Sequence, residues 1–502
     1  MADENLPLLV HRFVVEERSF KRIKNKFRPH FSATNSSASD KVQHIRASQS
    51  AKEERVARME SSFLPSRDLC PLKQEPSLAQ TQAGLTNIAK ALGVEPEPEI
   101  FYPASERDED DDASTPEDAG DEFEMRHVRS WLTRVVASDL DWLYHQHDED
   151  ANFQASREAA VTRAAELLAV CAGKSASGQS QVRYRFETPS GLISVRSRET
   201  TMSQDALGGR TWGAAPLLIR HLLQDTTTMT QLASSLPVRI LELGAGTGLV
   251  GLALVLAVQD RSHLHLILTD HHPTVLSNLE VNISLNALDS PLDSGSSNSA
   301  AKVQVRRLDW QVIHDARLAG SRTEKSSATS KVSPVAYSSK AQTLPEGSES
   351  ALEPRWLEEI GFENNSVDII IAAECVYDPL HPVWVRSVAE KYLRKPEGDG
   401  EGQDRGGVMH MITANRRTHN AEMNAIYEAF PPPPSSLENA QDKRPRLGAE
   451  ARLVMDKVEQ VSGYDDFGPP RLRLGAEANG PRLMSGTRHT YRRFEVRWAA
   501  RP

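Results

Sequence analysis

Five short stretches carry residue types that could do chemistry together. The first is Val238 to Gly248, V-R-I-L-E-L-G-A-G-T-G. Gly244, Gly246 and Gly248 stand at alternate positions, so the backbone can turn tightly and approach a ligand that a Cβ would hold off. The spacing is G-x-G-x-G, which differs from the G-x-G-x-x-G of a dinucleotide site. Glu242 precedes the loop on its strand, an arrangement suited to a cofactor with an amino group and no pyrophosphate. That points to S-adenosylmethionine rather than NAD. The other four stretches are Thr211-Trp212-Gly213-Ala214-Ala215, Thr269-Asp270, Leu308-Asp309-Trp310 and Ala372-Ala373-Glu374-Cys375-Val376-Tyr377.

Elements must bring these stretches to one place. An apolar strand leads into the glycine loop, and Leu249 to Val258 continues as a helix. A second strand, Leu264 to Thr269, ends at Asp270, about 20 residues past the loop, where an open α/β sheet places the acid that binds ribose hydroxyls. Strands at Val303–Leu308, Val367–Ala373 and Val408–Ala414 alternate with helices at Val275–Ile283, Pro382–Leu393 and Ala421–Phe430. The alternation predicts a doubly wound α/β sheet, in which ligands bind beyond the carboxyl ends of the strands. Two last strands, near Arg452–Val461 and Tyr491–Trp498, are expected to pair antiparallel at the sheet edge. Val182–Phe186 and Leu192–Val195 read as a hairpin around Pro189-Ser190-Gly191.

Before residue 120 there is little sustained periodicity. The basic cluster Arg18–Arg28 reads either as a nuclear signal or RNA arm or as solvated disorder, and the acidic run Asp108–Asp112 either as a tail for a basic partner or as solvated disorder, with disorder the reading taken for both. Helical spacing begins with Val128, Trp131, Leu132, Val135 and Val136, then Ala159, Val161, Leu167 and Leu168. The expected organisation is a largely disordered segment over 1–120, a helical region over 121–180 and a catalytic-type α/β domain over 181–502. Loop insertions are expected near 315–350 and 431–450. His145 and His147 beside Asp148 read as a loop, and no metal site is expected.

The chain has 59 basic and 69 acidic side chains. This balance does not favour general nucleic-acid binding, which needs a clustered cationic face. Three scattered cysteines, Cys70, Cys171 and Cys375, imply a reducing compartment. The beginning of the sequence lacks a secretory signal pattern, and the longest apolar run falls short of the roughly 20 residues of a membrane span. A soluble, cytoplasmic, monomeric protein without membrane or nucleic-acid partners is the expectation.

Taken jointly, L-E-L-G-A-G-T-G-L-V-G-L, Thr269-Asp270, Asn278 with Asn282, Leu308-Asp309-Trp310, A-A-E-C-V-Y and T-W-G-A-A resemble the seven-β-strand protein methyltransferases of family 16. The likeness spans roughly 180–500. It implies a Rossmann-like seven-stranded methyltransferase sheet and a protein-lysine N-methyltransferase that uses S-adenosyl-L-methionine. It further implies a protein substrate, a translation factor such as elongation factor 2. By the same resemblance Gly244, Ala245 and Gly246 contact the methionine part of the cofactor, with Glu242 and Gly248 completing the loop. Asp270 contacts the ribose, Asp309 and Trp310 flank the adenine, and Trp212 and Ala373 close the pocket. Glu374 and Tyr377 match an acidic-x-x-Tyr motif at the methyl-transfer site, where most relatives carry Asp.

A free lysine has a pKa near 10.4, so neutralising it at pH 7 costs roughly 4–5 kcal/mol. A carboxylate at position 374 by itself favours the charged amine, which assigns Glu374 to gripping and aiming the lysine, while the Tyr377 ring lies against its stem. The bland readings are a helix-capping acid for Glu374, a core aromatic for Tyr377 and an N-cap for Asp270; Cys375 reads as a small buried residue. Two other functions compete: an RNA or small-molecule methyltransferase, and a catalytically silent binding module with the same fold. Against the former, E-C-V-Y lacks the proline pair used on planar base nitrogens.

Overall fold

The computed structural model describes residues 63–95, 98–104, 116–144, 150–174, 176–201, 208–288, 300–324, 360–396, 405–416, 420–433, 451–464, 472–474, 482–483 and 488–499. The chain divides into units Met1–Ser62 and Phe63–Pro502, and every described residue belongs to the second.

After two short helical turns, Pro65–Asp68 and Leu72–Gln74, the second unit has helix α1 (Leu78–Ala91), strand β1 (Glu99–Tyr102), and helices α2 (Pro116–Ser138) and α3 (Ala151–Cys171). Helix α1 starts at a reciprocal capping box: the Ser77 side chain accepts from the Gln80 N–H, and the Gln80 side chain accepts from the Ser77 N–H. Leu85 and Ile88 of α1 pack with Val128, Leu132 and Val135 of α2 and Leu167 of α3 in a core of their own. This corrects the expectation of disorder before residue 120 over 63–95 and 98–104. The clue was S-L-A-Q at 77–80 followed by Leu85, Ile88 and Leu92 at helical spacing. In α3 the buried face runs Arg157, Ala160, Ala164, Leu167 and Cys171, and Ala159 is exposed. An alanine-rich helix has weak hydrophobic contrast, so its phase is hard to read. The clusters at Arg18–Arg28 and Asp108–Asp112, and His145 and His147, lie outside the described residues.

Strands β2 (Ser180–Thr188) and β3 (Gly191–Glu199) form the expected hairpin. They belong to a second sheet, because β1 adds to β2 in parallel and β10 (Arg482–Leu483) adds to β1, giving the order β10-β1-β2-β3. Alternation turns Tyr184 and Phe186 inward, and the Phe186 ring stacks on Tyr102 at 4.9 Å.

The main sheet contains β4 (Val238–Leu243), β5 (Leu264–Asp270), β6 (Lys302–Arg307), β7 (Ile369–Ala373), β8 (Val408–Ala414), β9 (Arg452–Tyr464) and β11 (Arg488–Ala499). Its order is β6-β5-β4-β7-β8-β11-β9, parallel except for β11, which runs antiparallel to both neighbours. The late hairpin is as expected, with β11 inside the sheet and β9 at its edge. Helices α4 (Ala214–Gln224), α5 (Thr226–Leu232), α6 (Leu249–Leu256), α7 (Pro273–Leu285), α8 (Trp310–Glu324), α9 (His381–Tyr392) and α10 (Asn420–Ala429) flank it. Ile240, Ile369 and Ile371 enter one core with α4, α6 and α7, whereas Leu241, Leu243 and Ile370 enter the other with α9 and α10. Burial on both faces explains why these strands read as unbroken apolar runs. The expected insertion near 315 begins inside α8; residues 325–359 and 434–450 lie outside the described residues. No helix among the described residues is long and apolar enough to cross a membrane.

Candidate active site

Register aligns the strand tips. Leu243 of β4 pairs with Thr269 of β5 and with Ala372 of β7, so the chain leaves all three strands at one level, into Gly244, Asp270 and Ala373. On the far side of β7, Ala373 pairs with Ile412 of β8. The tips open into a cleft of about 690 Å³, within the roughly 300–1,000 Å³ typical of small-molecule sites. Trp212, Glu242, Gly244, Ala245, Gly246, Asp270, Asp309, Trp310, Ala373, Glu374 and Tyr377 all line it.

Gly248 does not line the cleft. It sits at φ +75° as the residue before α6, where a Cβ would meet Leu279 at 2.8 Å and Leu268 at 3.0 Å. Its glycine is required by packing beneath the loop, which corrects the expectation of a cofactor contact. Glu242 is 2 % exposed and accepts the Gly251 N–H at 2.8 Å, tying β4 to the first turn of α6. Burial pushes its carboxyl up to about 8, against the smaller opposing pull of that hydrogen bond. It forms part of the floor and is already engaged by backbone.

Asp270 is 8 % exposed. One carboxylate oxygen accepts the N–H groups of His271 (2.8 Å) and His272 (3.1 Å), and the other lies 3.4 Å from the Gly246 nitrogen. Asp270 therefore caps its own turn and faces the glycine loop at the same time. Burial is the main influence on its carboxyl and raises its pKa; the backbone donors and His271 oppose that rise. Asp309 caps α8, accepting from Gln311 at 3.0 Å, which sets Trp310 at the start of that helix. The indole reaches Gly244, and its edge meets the His381 ring at 5.7 Å and 90°.

Glu374 has φ +52°, a left-handed conformation uncommon for a residue with a side chain. Strand β8 holds it there: the Glu374 N–H donates to the Ile412 carbonyl at 2.9 Å, and its carboxylate accepts the Ala414 N–H at 3.0 Å. Burial pushes this carboxyl up to about 7, opposed by the Arg416 charge and the Ala414 hydrogen bond. Tyr377 is 48 % exposed at the rim, its ring 4.6 Å from that of His381. Cys375 is buried, and burial drives its thiol pKa upward, as befits a packing residue rather than a nucleophile.

The loop bearing Trp212 is fixed from below. Arg210 donates to the Ser177 carbonyl at 2.6 Å, and Lys174 reaches the Thr211 carbonyl at 3.1 Å and the fully buried Glu199 carboxylate, also at 3.1 Å. Thr211 and Thr247 join hydroxyls at 2.9 Å, linking this loop to the glycine loop. Asn278 and Asn282, one turn apart on α7, act as a clamp. Asn282 accepts the Arg198 N–H at 2.7 Å and donates to the Thr247 carbonyl at 2.9 Å; Asn278 accepts from the Arg198 side chain at 2.7 Å.

Residues 195–322 match the family described as lysine methyltransferase. That stretch of the chain is similar to a domain of that family. Similar relatives include protein-lysine N-methyltransferase EFM2 of Saccharomyces cerevisiae, 29% identical over 43% of this chain and 41% of the relative. Protein-lysine N-methyltransferase rrg1 of Schizosaccharomyces pombe is 30% identical over 38% and 53%, and protein-lysine N-methyltransferase EEF2KMT of Mus musculus is 33% identical over 28% and 39%. The chain thus spans about two-fifths to one-half of the length of these curated relatives. The family resemblance read from the motifs stands, and S-adenosylmethionine fits the methyltransferase domain. The cleft has the size, the Asp270 carboxylate for a diol, aromatic walls in Trp310 and Trp212, and no side chain on the loop at Gly244 and Gly246. Among the described residues no cluster of three or more His, Cys, Asp or Glu could hold a metal ion.

Arg416 and His381 were missed in the sequence. Arg416 follows β8, 3.4 Å from Glu374 and with its guanidinium 5.9 Å from the centre of the Trp212 ring. His381 opens α9 and contacts the Cys375 carbonyl, Trp310 and Tyr377. Arg416 belongs to no local motif; His381 opens the stretch His381-Pro382-Val383-Trp384-Val385, just before the expected helix Pro382–Leu393, and nothing there gives it a role at the site.

Proposed function

We propose that this protein is an S-adenosylmethionine-dependent protein-lysine N-methyltransferase acting in the cytoplasm on a translation factor such as elongation factor 2. The observation that carries the reading is the meeting of the glycine loop, Asp270 and the Glu374–Tyr377 stretch in one cleft. Bound S-adenosylmethionine supplies an electrophilic methyl group on sulfonium sulfur. Asp270 would hold the ribose diol, Trp310 would lie beside the adenine, and Gly244 to Gly246 would give backbone room to the methionine part. The half-exposed Tyr377 ring and the Glu374 carboxylate receive the lysine at the rim. Glu374 and Tyr377 would aim the amine at the cofactor side of the cleft, and the exposed rim gives the amine's proton a route to solvent. Alignment and exclusion of water are what these side chains contribute.

The test is transfer of labelled methyl from S-adenosylmethionine to purified elongation factor 2, to total tRNA, and to protein extract from cells lacking this chain. Label on a lysine of elongation factor 2 supports the full reading, and label on another protein supports the lysine chemistry with a different substrate. Label on tRNA, or on nothing, overturns it in favour of an RNA enzyme or a binding module.

A further inference from the structure

The proposed chemistry poses a problem that Glu374 alone makes worse. A buried carboxylate stabilises an ammonium beside it, yet the attacking amine must be neutral. The structure places a second charge where it addresses this. Arg416 leaves the end of β8 with its guanidinium 3.4 Å from the Glu374 carboxylate and 5.9 Å from the centre of the Trp212 ring, while its own side chain is 45% exposed toward the cleft. Glu374 is 13% exposed, so the pair sits at the boundary between protein and the space an acceptor must enter. Glu374, Tyr377 and Arg416 also line a small adjoining hollow with Glu422 of α10.

We propose that Arg416 is a positioning residue for the methyl acceptor: it clamps the Glu374 carboxylate in its strained conformation and offsets that negative charge, so that a lysine delivered to the site gives up its proton more readily. The proposal rests on the lysine methyltransferase reading above. Its electrostatic logic is that a fixed cation near an amine disfavours the ammonium form, while the carboxylate still accepts a hydrogen bond from the neutral amine. The other ionisable groups near Glu374 are Tyr377, Cys375 and His381 of its own segment, Glu422 of α10, and Asp270 and Glu242 across the cleft. Among the groups lining the hollow, Arg416 is the cation.

Arg416→Gln and Arg416→Lys separate this role from a structural one. With elongation factor 2 as acceptor, Arg416→Gln is expected to lower kcat about tenfold at pH 7, with KM within about threefold, and to move the rising limb of the kcat–pH profile to higher pH by about one unit, since one pKa unit is a tenfold change in the neutral fraction. Arg416→Lys keeps the charge and is expected to keep the wild-type profile. An Arg416→Gln profile that is lower in amplitude but unshifted overturns the proposal. A second readout needs no turnover. The Trp212 fluorescence, taken as the difference from Trp212→Phe, is expected to change through a transition near pH 7 in the ligand-free protein, as Glu374 gains a proton and releases the guanidinium. The transition should vanish in Glu374→Gln and in Arg416→Gln. A wild-type trace without it, or one unchanged in both variants, overturns the clamp. If the wild-type protein methylates no protein, the functional reading fails, and the fluorescence still decides whether the pair is coupled.

Discussion

A Cβ added to Gly244 would stand 2.7 Å from the Cβ of Cys375, at a backbone φ of +56°. Two neighbouring strand tips are therefore pressed together at the cleft floor, and the glycine serves this contact as much as any ligand. Gly244→Ala is expected to cost about 1–3 kcal/mol of stability through overpacking, and to weaken S-adenosylmethionine binding at least about tenfold. Urea denaturation and titration calorimetry check both. Cys375→Gly in the same background should relieve the contact but not the backbone strain, so recovery should be partial; full recovery would show that φ is not limiting.

Asp270→Ala removes the acceptor of the His271 and His272 N–H groups together with the ribose-facing oxygen. Hydrogen bonds to charged groups contribute about 1.5–3 kcal/mol each, so cofactor affinity should fall about 100-fold. Unchanged affinity by calorimetry would remove Asp270 from the binding site.

Tyr377→Phe retains the ring against His381 and loses only the hydroxyl. Cofactor affinity is expected to stay within about twofold while kcat drops about tenfold, because the hydroxyl no longer helps to align the lysine at the rim. Wild-type turnover in this variant would leave the ring as the working part.

Stability should respond to pH through Glu242. Burial raises its folded pKa to about 8, whereas an unfolded glutamate titrates near 4.3. Between these values the unfolded chain binds fewer protons than the folded one, so stability falls as pH rises through that window. Glu242→Gln, which keeps an acceptor for the Gly251 N–H, should remove this dependence and gain on wild type by a few kcal/mol (order of magnitude) from pH 5 to pH 8. His410 acts oppositely: burial lowers it to about 3, so its contribution is full above about 6.5 and is lost as pH falls toward 3. Urea midpoints at pH 5, 6.5 and 8 test the first claim; identical pH slopes for Glu242→Gln and wild type would sink it.

The parallel sheet was legible because β4, β5 and β7 are short, mostly apolar runs that end at Gly244, Asp270 and Glu374, and those ends are where a doubly wound fold puts its cleft. Asn278 and Asn282 could be placed on one helix face by their spacing alone, yet their partners, Arg198 and Thr247, could not be named. The same divide separates Glu374, whose motif is local, from Arg416, which lies 42 positions away and reaches it only because Ala373 pairs with Ile412. Likewise the hairpin β2–β3 was readable, but its partner β1 comes from a stretch of weak alternation, and the register that joins them is a long-range choice. Local propensity and hydrophobic period settle which segments become strands and helices and which residue types stand at their tips. Which tips face one another, which glycines serve packing rather than a ligand, and which cation answers a buried carboxylate depend on strand order and on side chains meeting across distant segments; only the folded chain decides them.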